Sequence, residues 1–360
     1  MLDSVLKFLN TAEGQFVSIS AQKNDWADRD TVLGTLNSLK EALPERYLTV
    51  NKAMEYIFTP DLSVDENTRN SVDLIQKWHA AEEDSCVAAI LCSAMTQFDF
   101  RVGEDDDLIR GILFSSILAE VPNALLYHNN LHFRKVVLHV VRMIVAHNAM
   151  FEGTNHSLDK SQITALLIAA AIHDLGHQGK GNITNRKYEM AKTEKRSFEL
   201  AAPYLKEAGI SEELLCDIRT MLIGTDVSPF GDPISPANQV RAAYEYHYGT
   251  AEDDEALELC EDLIVLESNA DLCMMCLMLH EADIMNSAGL SYEITCQESI
   301  FVSKEIGRPH ASPEDTLLFL EKICCGEMLS DSARFLASDN LQKILTRVMQ
   351  DFKDGNVSYF

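Results

Sequence analysis

Histidines and carboxylates gather at four places along the 360-residue chain. LLYHNNLHFRKVV (125–137) carries His128 and His132, and AAAIHDLGHQGKGN (169–182) carries His173, Asp174 and His177. MLIGTDVSP (221–229) contains Thr225 and Asp226, and LMLHEADIMNSAG (277–289) sets Asp283 in an otherwise apolar run. On a helix, the i,i+4 spacing of His128 with His132, and of His173 with His177, would put each pair on one face. Imidazole and carboxylate together suit Zn, Fe, Mn or Mg, and a shared carboxylate suits a pair of ions. Each stretch alone has a plainer reading. A lone histidine on an apolar helix is more often a satisfied core residue, as expected of His79, His139, His147 and His280. A lone Asp near a helix end is usually a cap, the ordinary reading of Asp226. Two HxxxH pairs, an Asp adjacent to one of them and a distant Asp in an apolar helix are not required by core packing. Their joint occurrence predicts a metal site.

The elements that must position these residues read as helices. VVLHVVRMIVAHNAMF (136–151), QITALLIAAAIHDL (162–175) and NADLCMMCLMLHEADIM (269–285) are too long for single strands. SPED (312–315) is a helix start, with Ser312 as N-cap, Pro313 in the first position and Asp315 in the third; SEEL (211–214) opens another helix. Breaks fall at 59–68, 102–107, 147–157, 224–236 and 249–255, and neither a repeat nor a low-complexity tract interrupts the pattern. The expected fold class is all-α, a compact multi-helix bundle with the metal site where several helices converge. Residues 1–100 hold helical patterns but no chemical constellation, and are expected to form a helical cap or regulatory subdomain. Residues 101–360 form the expected catalytic domain.

Apolar content of 46% with 24% charged residues is ordinary for a globular chain with a substantial core. Net charge is 30 − 56 = −26, which argues against a nucleic-acid backbone or an anionic membrane surface as partner. The acidic runs EDDD (104–107) and AEDDE (251–255) read as solvated charge. Nine cysteines scattered through apolar segments predict reduced core thiols in a cytoplasmic setting. Cys273 and Cys276 form a CxxC, but without a second pair they read as core. The start, MLDSVLKFLNTAEGQ, is not expected to be a signal peptide, and no window approaches 18 uninterrupted apolar residues.

The order H … HD … D resembles the HD metal-dependent phosphohydrolases. More narrowly, YHNNLH and AAAIHDLGHQGKGN are similar to the Y-H-N-x-x-H and H-D-x-x-H-P-G-x-x-N stretches of the class I cyclic nucleotide phosphodiesterase catalytic domain. GTDVS and ADIMN fit that family's later T-D-x-S and A-D-x-x-N motifs, and the likeness spans about residues 110–325. The resemblance implies two divalent metal ions. His132, His173, Asp174 and Asp283 would hold the tighter, Zn, and Asp174 would also reach the second, Mg or Mn. It further implies attack by a bridging hydroxide, with His128 as the general acid that protonates the leaving 3′ oxygen. His177, Asn182, Glu194 and Thr225 would orient waters around the metals, with Glu199 on the same helix as an alternative to Glu194. Tyr127, Asn286, Thr316 and Phe319 fall at substrate-facing positions, Phe319 as an aromatic clamp on the base.

The chain departs from the family pattern at four positions. Gln178 replaces the Pro after the second His, Gly176 replaces an intervening acid, and Lys135 replaces an Asp after the first metal His. None is an expected metal ligand, so hydrolysis should survive. Thr316 replaces the Gln that grips the purine edge, and a hydroxyl cannot make that bidentate contact. Gln297 is a candidate substitute. The leading expectation is an enzyme, a 3′,5′-cyclic nucleotide phosphodiesterase, with cAMP ahead of cGMP. The alternative is an HD-type phosphohydrolase of another nucleotide or small phosphate ester, and the third reading is a non-catalytic nucleotide-binding regulator. Expected partners are a small nucleotide substrate and at most a second copy of the chain, with neither nucleic acid nor membrane insertion.

Overall fold

The computed structural model describes residues 1–20, 26–57, 59, 62–82, 85–184, 187–249 and 257–359. The acidic run at 251–255 therefore lies outside the described residues. Among the described residues the chain is all-α apart from one two-stranded ribbon, and it divides into two compact units.

The first unit comprises Met1–Ala124, His128–Gly176 and Arg196–Ile218. It contains α1 (Leu2–Ser20), α2 (Arg29–Met54), α3 (Val64–His79), α4 (Val87–Gln97), α5 (Asp106–Ala119), α6 (Asn130–Met150) and α7 (Lys160–Ile172). It also holds α8 (Lys192–Ala208) from Arg196 onward and α9 (Glu212–Ile223) as far as Ile218. The apolar stretch of α7 is buried on every side: Ile163 through Ile172 are all in the core, and the helix packs against α5 and α6. Small side chains permit that approach. Alanines occupy 169–171 on α7, and Gly111 of α5 leaves room for Ile210 and Ile168, where an added Cβ would stand 2.3 Å from Ile210 Cδ1. Asp159 caps α7 and shares a reciprocal capping box with Gln162. Phe16 of α1 lies 4.7 Å from Phe114 of α5 and 5.0 Å from Tyr204 of α8, so α1 belongs to the same core.

The second unit comprises Leu125–Tyr127, His177–Lys195 and Arg219–Phe360. It contains the ribbon of β1 (Ile183–Thr184) and β2 (Lys187–Tyr188), antiparallel with Ile183 opposite Tyr188. Its helices are α10 (Pro236–Tyr248), α11 (Ala270–Ala288), α12 (Tyr292–Glu305), α13 (Pro313–Lys322) and α14 (Asp331–Lys353), with a 3₁₀ helix over Glu261–Glu267. α11 is buried along nearly its whole length and packs against α10, α12 and α14. Ser312 caps α13 by accepting from the Asp315 amide, with Pro313 in the first turn, as its sequence predicts. All nine cysteines are free thiols; Cys273 and Cys276 are fully buried in α11, and burial pushes the Cys273 thiol up to about 12. No helix of the described residues is long and apolar enough to cross a membrane.

Candidate metal centre

Helix α6 begins where the first motif ends. Asn129 is its N-cap, its side chain accepting from the Leu131 and His132 amides at 2.9 and 3.2 Å. Asn130 donates to the Ala119 and Val121 carbonyls at 2.7 and 2.9 Å, tying this start to the end of α5. Asn123 donates to the His128 carbonyl at 2.8 Å. The asparagines of YHNNLH thus fix the backbone on either side of the two histidines. This corrects the reading of a shared helical face: His132 is in the first turn of α6, whereas His128 precedes the cap and lies off the helix. The second pair also straddles a helix end, since α7 stops at Ile172, His173 is its C-cap, and His177 lies beyond the turn. Ser197 of α8 pins that end, accepting from the Leu175 amide at 3.1 Å and donating to the Ile172 carbonyl. Gly176 has φ +72°, and an added Cβ would stand 2.5 Å from Leu200 Cδ1. An acid there would adopt a strained left-handed backbone and would have to displace the Leu200 side chain.

These ends bring three ligand atoms together. His132 Nε2 and His173 Nε2 are 3.0 Å apart, and Asp174 Oδ2 is 3.3 Å from the first and 3.2 Å from the second. Both imidazoles are buried, while the Asp174 side chain is 14% exposed. The His173 Nδ1 faces the Ala170 carbonyl at 2.9 Å. A carbonyl only accepts, so Nδ1 carries the proton and Nε2 presents a lone pair to the cluster in the neutral ring. Two imidazole nitrogens and a carboxylate oxygen converging on one point form a donor set that a divalent cation satisfies, and the residues fit such an ion. Burial alone would raise the Asp174 carboxyl. In their protonated form His173 and His128, with the hydrogen bonds that His132 and His173 can then donate, outweigh it and hold the group well below the usual carboxylate range. His128 Nε2 is 4.0 Å from the same carboxylate oxygen, and its ring meets that of His132 edge-on at 5.7 Å. Phe133 packs edge-on against His173 at 5.5 Å.

The other expected site residues belong to the second unit. His177 accepts from the Gly179 amide through Nδ1 at 3.1 Å. Asn182 is buried and its side chain is fully engaged: the amide donates to Glu194 Oε2 at 2.9 Å, and the oxygen accepts from the Thr193 amide and hydroxyl. Glu194 is buried at the start of α8, whereas Glu199 is exposed. Thr225 is buried and donates to the Leu222 carbonyl at 2.8 Å. Asp226 is not merely a local cap. Its carboxylate accepts from the Ser228 amide, the Tyr188 hydroxyl and the Ala191 amide at 2.8, 2.9 and 2.8 Å. Asp283 is half-buried on α11. Asn286, one turn later, is buried, and neither atom of its amide meets a hydrogen-bond partner among the described residues. Tyr127 is half-buried, its amide donating to Glu305 at 2.7 Å. Thr316 is buried on α13, its hydroxyl 3.0 Å from that of Ser299 and 3.1 Å from the Ser312 carbonyl; Phe319 and Gln297 are half-buried.

Sequence reasoning missed the residues that hold the ligands: Asn123, Asn129, Asn130 and Ser197. Only Asn129 carries a local signal, as an N-cap type immediately before an apolar periodic run. Of the core-type histidines, His139 and His147 meet Arg142 and the His156 carbonyl, and His79 is half-buried. His280 departs from expectation: it is fully buried, and neither ring nitrogen meets a hydrogen-bond partner among the described residues.

A family model described as 3′5′-cyclic nucleotide phosphodiesterase matches residues 127–306, half of the chain. The chain belongs to this family. The matched span includes His128, His132, His173, Asp174 and Asp283. The fold is similar to two solved structures from the choanoflagellate Salpingoeca rosetta, the phosphodiesterase domains of the RhoPDE fusion protein and of the rhodopsin phosphodiesterase. Each has a TM-score of 0.52 and 18% identity, covering 83% of this chain and 96% and 93% of those chains respectively. No curated protein matches the chain. At this level the protein is an all-α phosphodiesterase, a hydrolase.

Proposed function

We propose that the chain hydrolyses a 3′,5′-cyclic nucleotide to the 5′-nucleotide, with cAMP ahead of cGMP. The observation that carries this reading is the convergence of His132, His173 and Asp174 within 3.3 Å of one another in a chain of this family. These three residues would hold the tighter cation, Zn, with Asp283 assigned as a further ligand on its motif, and Asp174 would be shared with Mg or Mn. When bound, such a pair supplies Lewis-acid polarisation of the phosphate and an activated water near neutral pH. The protein's own part is orientation and proton supply. His128, off the helix with Nε2 4.0 Å from the Asp174 carboxylate, would be the acid that donates a proton to the leaving 3′ oxygen. His177, Asn182, Glu194 and Thr225 would orient waters, and Tyr127, Asn286, Thr316 and Phe319 would face the nucleotide. Residues 1–100 are assigned as a cap or regulatory subdomain of the catalytic domain at 101–360, and the cytoplasm as its location.

One observation favours a second reading. The Thr316 hydroxyl is already engaged by Ser299 and the Ser312 carbonyl, and one hydroxyl cannot replace a bidentate amide on a purine. The substrate would then be another nucleotide or a small phosphate ester. Hydrolysis of cAMP, cGMP and bis-nitrophenyl phosphate with added Mn or Mg decides between them. Cleavage of the generic ester and of neither cyclic nucleotide overturns the leading reading.

A further inference from the structure

The start of α8 is held in an unusual way. Lys195 donates to the Ala191 carbonyl, which makes Ala191 the capping residue, and Ala191 has φ +50°. Alanine has no side chain to satisfy the free amides of a first turn, and its left-handed backbone costs about 1 kcal/mol or more. Two residues distant in sequence supply what it lacks. Asp226 accepts from the Ala191 amide at 2.8 Å, and Asn182 accepts from the Thr193 amide at 2.9 Å. Asp226 also accepts from the Tyr188 hydroxyl at 2.9 Å, so one buried carboxylate ties β2 and the start of α8 to the turn after α9. Its negative charge lies at a helix N-terminus, where it is favoured. Glu194, three residues after Ala191, is in this same first turn and bonds to Asn182.

We propose that Asp226 is a positioning residue. Through Ala191 and Tyr188 it sets the first turn of α8 and thereby the place of the Glu194 carboxylate, which the proposed function assigns to ordering water around the weaker divalent cation. The inference rests on the functional reading above. It assigns to Asp226 neither contact with substrate nor a ligand atom.

The test is Mn²⁺ binding by calorimetry on the full chain, with amide exchange at Ala191 and Thr193 measured alongside. Asp226→Asn keeps the volume but turns an acceptor into a donor facing donors. The concentration for half-saturation by the weaker Mn²⁺ is expected to rise about tenfold or more, with the tighter ion retained and Ala191 exchanging faster. Tyr188→Phe, which leaves the carboxylate on the Ala191 amide, should shift it by about threefold, the scale of one lost hydrogen bond. Equal Mn²⁺ affinity in the natural chain and in both variants overturns the assignment alone. A natural chain that takes up no Mn²⁺ overturns the functional reading, and the assignment with it.

Discussion

Replacing His280 by Leu should make the protein more resistant to acid. The imidazole is fully buried on α11 with no hydrogen-bond partner for either nitrogen among the described residues. Burial, aided by the Arg241 cation and opposed by Asp283, lowers its pKa from 6.5 to about 4. Above pH 6.5 the ring is neutral whether the chain is folded or not. Between 6.5 and 4 the unfolded chain binds a proton that the folded chain refuses, so stability falls with pH, by about 1.4 kcal/mol per unit. Across that window the loss is about 3 kcal/mol, and it levels off below pH 4. In His280→Leu this loss is absent. At pH 7.5 the variant should be as stable as the natural chain or more so, because it removes a buried polar ring that gains no hydrogen bond. Urea unfolding at a series of pH values from 7.5 to 4, followed by circular dichroism, measures the difference between the two chains. Carboxylate titrations common to both cancel. Curves that run parallel over the whole range refute the reasoning; the expected result is a gap that widens by about 3 kcal/mol on acidification.

Asp174→Ala should abolish both metal content, measured by elemental analysis, and turnover, because that one carboxylate oxygen meets both buried imidazoles. His128→Ala should retain metal while slowing hydrolysis about a hundredfold or more; full activity would remove His128 as the acid. Two glycine-to-alanine changes should have opposite signs in thermal unfolding. Gly111→Ala forces a Cβ against Ile210 and Ile168 and should destabilise by about 1–3 kcal/mol. Gly34→Ala, in α2 with nothing within 4 Å of the added carbon, should stabilise by about 0.5–1 kcal/mol.

The helices were readable because their apolar runs have helical length and their starts carry cap residues, as at Ser312 and Ser211. The candidate cluster drew attention through residue type, since His132, His173 and Asp174 bear chemistry that a core otherwise excludes. What could not be read is whatever depends on partners distant in sequence. Asp226 is 38 residues from Tyr188 and 35 from Ala191, and its local neighbourhood advertises only a cap. The His280 environment is likewise set by packing around α11, and no feature of LMLHEAD distinguishes an unsatisfied ring from a satisfied one.

The structure replaces the reason for which the histidine spacing drew attention to these residues. The i,i+4 spacing of the histidines suggested one helical face, yet each pair lies across a helix end: Asn129 opens α6 between His128 and His132, and α7 closes at His173 before His177. A helix face would have buried both members equally. Straddling the end buries one histidine of the first pair and leaves the other half-exposed. That division suits a ligand, which must be held still, and an acid, which must exchange protons with water. The H-x-x-x-H spacing in this chain therefore marks helix boundaries, and the boundary is what gives two chemically identical side chains different surroundings.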